Sequence, residues 1–205
     1  MTIGIDLNDV LRDFTMNFAK YYKQGYDHTF DYDDFELWTN DIQALFPFKT
    51  QGAYEKFVYE DYAYELYGAC PTCELQLSAA FNEWVTNIVP NIDVDEPIDL
   101  IVVSPFEYGL SIASTYFFLS KIGCRIRKVF MPSDSSEIWN KCDALITANP
   151  DLMKIKPEGK ISVKIKKEYN EEIDSDFTFS TMAKFLKDEK NTEEIIQKIL
   201  NKDNE

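Results

Sequence analysis

Residues 2–11 read Thr2-Ile3-Gly4-Ile5-Asp6-Leu7-Asn8-Asp9-Val10-Leu11. The apolar start of this stretch predicts a short buried β-strand over residues 2–7, and the polar residues after it predict a loop. The next apolar run of the same kind covers residues 98–104, directly after a proline. Two core strands therefore flank a long insertion.

The chain after residue 104 alternates between helical and strand patterns. Helices are predicted at about 110–122 and 135–141, and strands at 125–131, 143–147 and 160–165. Two more helices are predicted near the carboxyl end, one with Ser180 as N-cap and one that opens at Asn191. This alternation predicts an α/β fold, with a mostly parallel sheet and helices on both faces.

The insertion, roughly residues 12–96, is predicted to be helical but irregular. It is acidic: residues 12–97 contain 16 acidic and 5 basic side chains, in a chain of 205 residues with a net charge of −15. It contains nine of the twelve tyrosines, at positions 21, 22, 26, 32, 54, 59, 62, 64 and 67. Tyrosine is enriched at protein interfaces, so the insertion is predicted to bind other proteins. Tyrosines that pack a small core of the insertion are the alternative.

Composition limits the remaining classes of function. An acidic surface repels phosphate backbones, so nucleic acid is not an expected partner, whereas a basic protein surface is one. A merely solvated face is the alternative. Without a long apolar stretch or a signal-peptide pattern, we expect a soluble, cytoplasmic protein with no membrane partner. The cysteines are few and favour reduced thiols: Cys70, Cys73, Cys124 and Cys142.

Polar residues stand where three predicted strands end: Asp6 to Asp9, Ser104, and Thr147-Ala148-Asn149-Pro150. In an open α/β sheet, ligands bind beyond the carboxyl ends of the strands. The strand order and these residues resemble the haloacid dehalogenase (HAD) superfamily, in the deoxyribonucleotidase-like branch with a helical cap. The resemblance spans nearly the whole chain. It implies a HAD-like, Rossmann-type core over residues 1–11 and 97–205 and a cap over residues 12–96.

The resemblance assigns roles at the first two motifs. The family's first motif is Asp-x-Asp-Gly-Thr/Val-Leu, in which the first Asp attacks phosphorus and the second donates a proton to the leaving oxygen. Asp6 matches the nucleophile, Asn8 replaces the acid, and Asp9 replaces the glycine. Asparagine cannot deliver a proton, and general acid catalysis supplies about 10² to 10⁴ in rate. Ser104 matches the second motif, a hydroxyl that holds the phosphoryl group.

The other two motifs are degenerate. The family's lysine position corresponds to Glu137, with Lys141 one helical turn further on. The paired acids that help to hold Mg²⁺ are replaced by Thr147 and Ala148. Four of the five catalytic groups that the resemblance implies are therefore absent, at positions Asn8, Glu137, Thr147 and Ala148. We therefore expect a pseudoenzyme with no catalytic residue and no cofactor.

These observations favour a catalytically inactive structural or assembly subunit that associates with itself or with other proteins. The chain has degenerate motifs and is rich in Asn, Lys, Ile and Tyr. In both respects it is similar in character to proteins of large tailed bacteriophages. That similarity favours a virion component, such as a neck or tail connector.

Two alternatives stay open. One is an Mg²⁺-dependent phosphatase or 5′-nucleotidase with Asp6 as nucleophile and metal ligands from Asp9 or Asp151. The other is a non-catalytic module that binds a small neutral molecule through hydrogen-bonding groups at Asp6, Asn8, Ser104 and Thr147.

Three further features have competing interpretations. Cys70-Pro71-Thr72-Cys73 has the spacing of a redox motif or half a zinc site, but no second pair follows, which favours a tight turn. His28, the sole histidine, is predicted to be a surface residue. A run of lysines is predicted to be the exposed side of an edge strand. The alternatives are a binding patch and a contact with the acidic insertion of a second copy. The run consists of Lys154, Lys156, Lys160, Lys164, Lys166 and Lys167.

Overall fold

The computed structural model describes residues 1–31 and 36–202. Within these residues, six parallel strands form one sheet in the order β3-β2-β1-β4-β5-β6. They are β1 (Thr2–Asp6), β2 (Asp99–Val103), β3 (Lys128–Phe130), β4 (Ala144–Thr147), β5 (Ile161–Ile165) and β6 (Phe177–Phe179). The predicted α/β fold is confirmed. Five strands match predicted ones, while β6 was missed because three residues are too few for a periodic pattern.

Eight α-helices lie in the same described part of the chain. They are α1 (Phe14–Gly25), α2 (Ile42–Leu45), α3 (Gln51–Lys56), α4 (Leu77–Glu83), α5 (Leu110–Lys121), α6 (Pro150–Lys154), α7 (Met182–Leu186) and α8 (Glu189–Lys202). Helix α3 continues as π-helical turns at Phe57–Asp61 and Tyr64–Gly68, and α4 continues as Trp84–Ile88 and a 3₁₀ turn at Val89–Asn91. Two more 3₁₀ segments are Ser135–Asn140 and Glu168–Asn170.

The starts of two helices, α7 and α8, differ from the prediction. The N-cap of α7 is Thr181 rather than Ser180, and its hydroxyl accepts from the amide of Lys184 at 3.2 Å. Helix α8 begins at Glu189 rather than Asn191: the Asp188 side chain accepts from the amide of Lys190 at 3.1 Å, and the Asn191 side chain donates to the carbonyl of Phe185 at 2.8 Å. The Asn149-Pro150 pair opens the short helix α6, where the Asn149 side chain accepts from the amide of Asp151 at 2.8 Å.

Three apolar clusters organise the described residues, and the smallest contains Trp139, Leu145 and Leu152. The largest contains the sheet, α5, α7 and α8, together with α4 of the insertion, whose Trp84 indole donates to the Thr192 hydroxyl at 2.9 Å. The second is an aromatic cluster in residues 14–67. Seven tyrosines pack in it: Tyr21, Tyr22, Tyr26, Tyr54, Tyr59, Tyr62 and Tyr67. Tyr64 is exposed, and Tyr32 lies outside the described residues. The chain division at residues 11 and 97 stays a prediction.

The basic run does not form an exposed strand edge, so that prediction is wrong. Strand β5 lies between β4 and β6 and is buried along its whole length. The Lys164 ammonium donates to the carbonyl of Ile173 at 2.6 Å. Four other lysines pair with carboxylates of the same chain: Lys154 with Asp151, Lys156 with Asp176, Lys160 with Asp143, and Lys166 with Glu171. These ion pairs leave little free positive charge for a partner.

No helix among the residues described is long and apolar enough to cross a membrane.

Candidate functional site

A cavity of about 930 Å³ lies at the carboxyl end of β1, between the sheet and the helical segments of the insertion. Strand β1 has β2 on one side and β4 on the other, so the chain order reverses here. Open α/β sheets bind their ligands at this kind of point. Asp6, Asn8 and Asp9 line the core side of the cavity, as the sequence predicted for the end of the first strand.

Asp6 is the last residue of β1, and its side chain is almost fully buried. Its Oδ2 accepts a hydrogen bond of 2.7 Å from the Thr147 hydroxyl at the end of β4. Burial raises the pKa of Asp6 to about 6, although the Thr147 hydrogen bond and the charge of Arg12 act in the opposite direction. No salt bridge joins Asp6 to any residue in the described part of the chain.

Asp9 holds the beginning of α1. Its carboxylate accepts from the amide and the hydroxyl of Thr15, at 3.0 and 2.6 Å, and from the Tyr169 hydroxyl at 3.0 Å. Its backbone has a φ of 57°, in the left-handed region that favours glycine. Asp9 is therefore a positioned side chain whose hydrogen-bond partners are all uncharged.

Arg12 is the central residue that the sequence did not predict for the site. It is completely buried. Its guanidinium donates to Asn8 Oδ1 at 2.6 Å, to the Thr115 hydroxyl at 2.7 Å and to the Ser104 hydroxyl at 3.2 Å. A signal was present, since Arg12 is the only basic residue among the first nineteen. Its position in an otherwise apolar and acidic stretch could have marked it as a buried, paired charge.

Glu107 is the counter-ion of Arg12. Its Oε1 accepts from the Arg12 guanidinium at 2.6 Å, from the Ser104 hydroxyl at 2.8 Å and from the Thr115 hydroxyl at 2.9 Å. The Arg12 guanidinium also lies 4.8 Å from the ring centroid of Tyr67, within the range of a cation–π contact. Arg12, Glu107, Ser104, Thr115 and Asn8 form one network, which we call the Arg12 network. Within this network the Ser104 hydroxyl and the side-chain carbonyl of Asn8 are hydrogen-bonded to Arg12 or Glu107.

Three other positions named from the sequence, Ala148, Glu137 and Lys141, do not line the cavity. Ala148 is buried, and its carbonyl accepts from Asn170 at 2.7 Å. Glu137 is exposed on the 3₁₀ segment and does not line the cavity. Lys141 is exposed too, and its ammonium lies 5.9 Å from the ring centroid of Phe130. Lys141 therefore does not line the cavity.

Two of the carboxylates considered for Mg²⁺, Asp9 and Asp151, are engaged by protein groups. Mg²⁺ requires near-octahedral oxygen coordination, usually with one or two carboxylates and several waters. Asp9 is engaged by Thr15 and Tyr169, and the exposed Asp151 pairs with Lys154 at 3.1 Å. In residues 1–31 and 36–202, no group of three or more His, Cys, Asp or Glu side chains could hold a metal ion.

The lining of the cavity is acidic and aromatic. Six carboxylate side chains line it: Asp6, Asp9, Asp41, Glu55, Glu60 and Asp151. Seven aromatic rings line it as well: Phe14, Tyr54, Tyr59, Tyr67, Phe106, Tyr108 and Tyr169. Among the described lining residues there is no lysine, arginine or histidine. The electrostatic potential inside is therefore negative.

The insertion contacts the core across the mouth of the cavity. The Asn40 amide donates to Asn149 Oδ1 at 3.2 Å, and the Tyr59 hydroxyl donates to the Phe106 carbonyl at 3.3 Å. The rings of Tyr59 and Tyr108 meet edge to face at 5.5 Å. These contacts place walls from the insertion opposite Asp6.

The cysteine motif and His28 lie outside this cavity. Burial raises the pKa of the Cys70 thiol to about 12 and that of Cys73 well above its ordinary value, which disfavours the reactive thiolate. The amide of Cys73 donates to the carbonyl of Leu11 at 3.1 Å, so the motif packs against the loop after β1. His28 is exposed, as predicted.

Helix α5 has an unusual distribution of side chains. Its buried face contains Ser111, Ser114 and Thr115 besides Phe118 and Leu119. Its exposed face carries large apolar side chains: Leu110, Ile112, Tyr116 and Phe117. We call these four side chains the α5 face. Thr115 must point inward to reach Arg12 and Glu107, and the helix therefore turns the α5 face towards solvent.

Comparison with known proteins gives no relative from which a function could be transferred. No protein-family model matches the chain, and no curated protein matches it. What the chain does is therefore inferred from the cavity, the Arg12 network and the α5 face.

Proposed function

We propose that this chain is a catalytically inactive protein of the HAD-like fold that serves as a self-associating structural subunit. The Arg12 network is the observation that carries this proposal. It engages Asn8 and Ser104, the residues at the family's acid and phosphate-holding positions. By the character of its sequence, the assembly we propose is the particle of a tailed bacteriophage.

Backbone geometry supports the assignment to the HAD-like fold. The first strand is central in the sheet, and the nucleophile position, Asp6, is its last residue. The family's motif has glycine at the position of Asp9, and Asp9 has the positive φ that glycine adopts most easily. An aspartate there keeps the backbone conformation while its side chain holds the start of α1.

Electrostatics supports the loss of phosphoryl transfer. The reaction develops negative charge that a metal, a lysine or an arginine must stabilise. Arg12 is buried and already paired with Glu107, and no basic side chain among the described residues lines the cavity. A phosphate ester would therefore meet carboxylates and neutral side chains but no cation among the described lining residues, and Ser104, with no exposed surface, does not line the cavity.

The α5 face supports the structural role. Exposed apolar patches on soluble proteins often mark protein–protein contacts. Residues 110–120 contain no charged side chain, although the chain as a whole has a net charge of −15. A second copy fits this face well, because two copies would meet there without opposing like charges. Two-fold dimers are also the commonest oligomers of soluble proteins.

Two measurements on one sample test the proposal. Hydrolysis of p-nitrophenyl phosphate with Mg²⁺ should stay at the level of the buffer, and the mass in solution should exceed that of one chain. Hydrolysis that Asp6→Asn abolishes would contradict inactivity. A monomer at every concentration would contradict self-association. Purified particles that lack the protein would remove the assignment to a virion.

A further inference from the structure

We propose that the cavity at the end of β1 binds a small organic cation, in which an ammonium or guanidinium group is attached to an apolar body. This inference goes beyond the proposed function and does not depend on it. An inactive structural subunit could have this site, and so could an enzyme.

The charge distribution in the cavity is the first reason. The six carboxylates come from separate parts of the chain, including Asp6 in β1, Asp41 before α2 and Glu55 in α3. Asp6 is the least exposed of these carboxylates, at 3% exposure, and no salt bridge joins it to a described residue. A buried carboxylate without a counter-ion is costly, so a cationic ligand would gain most of its attraction here.

The aromatic walls are the second reason, and they are independent of the charges. The ring of Tyr59 stands nearly perpendicular to the rings of both Tyr54 and Tyr108, with centroids at 6.3 and 5.5 Å. Rings at such angles present both faces and edges to the space between them. The face of an aromatic ring attracts ammonium and guanidinium groups within about 6 Å.

The chemistry of the lining also separates cations from the other ligand classes. Phosphate esters are repelled by the carboxylates. The hydroxyls that the sequence suggested for a small neutral molecule, those of Ser104 and Thr147, are bonded to Glu107 and Asp6 and do not line the cavity. A cavity of about 930 Å³ accommodates a molecule much larger than a bare metal ion.

Three ligands with one aromatic body test the proposal directly. Phenethylamine is cationic, 2-phenylethanol is neutral and phenyl phosphate is anionic, and each is titrated calorimetrically into the full chain at about 150 mM salt to screen the net charge. Phenethylamine should bind at least about tenfold more tightly than the other two, the affinity ratio expected for one charge-assisted contact. Equal binding of all three, or preference for phenyl phosphate, would overturn the proposal.

Charge-neutralising variants locate the site. Asp6→Asn should weaken phenethylamine binding about tenfold, and Glu55→Gln, at an exposed position on α3, should weaken it less. Glu193→Gln makes the same charge change at an exposed position on α8, outside the cavity lining, and should leave binding unchanged. A loss in Glu193→Gln equal to that in Asp6→Asn would show nonspecific attraction to the net charge. Displacement of the amine by an equimolar amount of Mg²⁺ would show a metal site instead, and either result refutes the proposal.

Discussion

The Arg12 guanidinium and the Glu107 carboxylate lie 2.6 Å apart, and both side chains are excluded from solvent. Such a pair is well stabilised only if other hydrogen bonds satisfy the remaining donors and acceptors. Here Asn8, Ser104 and Thr115 provide such bonds to the guanidinium and to Glu107 Oε1, while the buried Glu107 Oε2 accepts none from the described residues. The pair therefore explains two features together: the internal use of Ser104 and Asn8, and the inward orientation of Thr115 that exposes the α5 face.

Removal of one partner of this pair should destabilise the protein strongly. Arg12→Ala leaves the Glu107 carboxylate buried and unpaired, which typically costs about 3–5 kcal/mol of unfolding free energy. Replacement of both partners, as in Arg12→Met with Glu107→Leu, should cost clearly less, because no charge is then left buried. Urea denaturation of the three proteins measures the difference.

A matched control comes from the exposed ion pair between Lys128 and Asp99, which also has a 2.6 Å separation. Exposed pairs contribute little, so Lys128→Ala should leave the denaturation midpoint almost unchanged. If Lys128→Ala and Arg12→Ala shifted the midpoint equally, burial of the Arg12 pair would have no energetic consequence.

Asp6 should make stability depend on pH. Its pKa in the folded protein is raised to about 6, whereas an unfolded aspartate titrates near about 3.9. The unfolded state therefore releases its proton first, and the free energy of unfolding should fall by up to about 3 kcal/mol as pH rises from about 4 to about 7. Asp6→Asn removes this contribution.

The variant should accordingly be more stable than the wild type above pH 6, and the difference should disappear near pH 4. Urea denaturation across this pH range, with Glu193→Gln as control, measures it. An Asp6→Asn protein that is less stable at pH 7.5 would mean that the Asp6 carboxylate is stabilised by its surroundings.

The sequence predicted the elements that depend on local periodicity. Five of the six strands and helix α5 follow apolar patterns that are legible without the structure. The predicted strands also place Asp6 and Thr147 at adjacent strand ends, where the Thr147 hydroxyl donates a hydrogen bond to Asp6. Strand β6 and the exact starts of α7 and α8 depend on single side-chain caps or on three-residue pairings, which periodicity does not encode.

The Arg12 network could not be predicted in the same way. Arg12 meets Thr115 and Glu107 across 103 and 95 residues of chain. Only the packing of α5 against the loop after β1 brings them together. The tyrosines show a similar limit, because a local count of rings cannot distinguish an interface from an aromatic core, and seven of them form a core.

If the cavity binds an organic cation, binding should depend on pH through Asp6. The charged and titratable groups around Asp6 are Arg12, Asp9 and Tyr169, and Thr147 donates to it. Protonation below about pH 6 removes the negative charge of Asp6. The affinity for phenethylamine should therefore fall as pH is lowered from about 7.5 to about 5, with a midpoint below 6 because the bound cation lowers the pKa.

The Asp6→Asn variant is the control for this titration. Its weaker affinity should show a much shallower pH dependence over the same range. Calorimetric titrations at several pH values measure both proteins. An equally steep pH dependence in the variant would assign the effect to another carboxylate of the lining.

Self-association through the α5 face should strengthen with salt. The face is apolar and uncharged, whereas two chains of net charge −15 repel each other. Salt screens this repulsion but does not weaken apolar contact, so the dimer dissociation constant should fall as ionic strength rises. Sedimentation equilibrium at low and high salt measures it. Dissociation on addition of salt would instead indicate contact between the acidic insertion and the lysines of a second copy.

A substitution locates this contact on α5. Phe117→Ser removes a large ring from the α5 face and should weaken the dimer about tenfold or more, as for other aromatic interface contacts. Ile155→Ser makes a comparable apolar-to-polar change at an exposed position on another surface. It should leave the dissociation constant unchanged, because Ile155 follows α6 and does not belong to the α5 face. Equal weakening by both substitutions would exclude the α5 face as the specific contact.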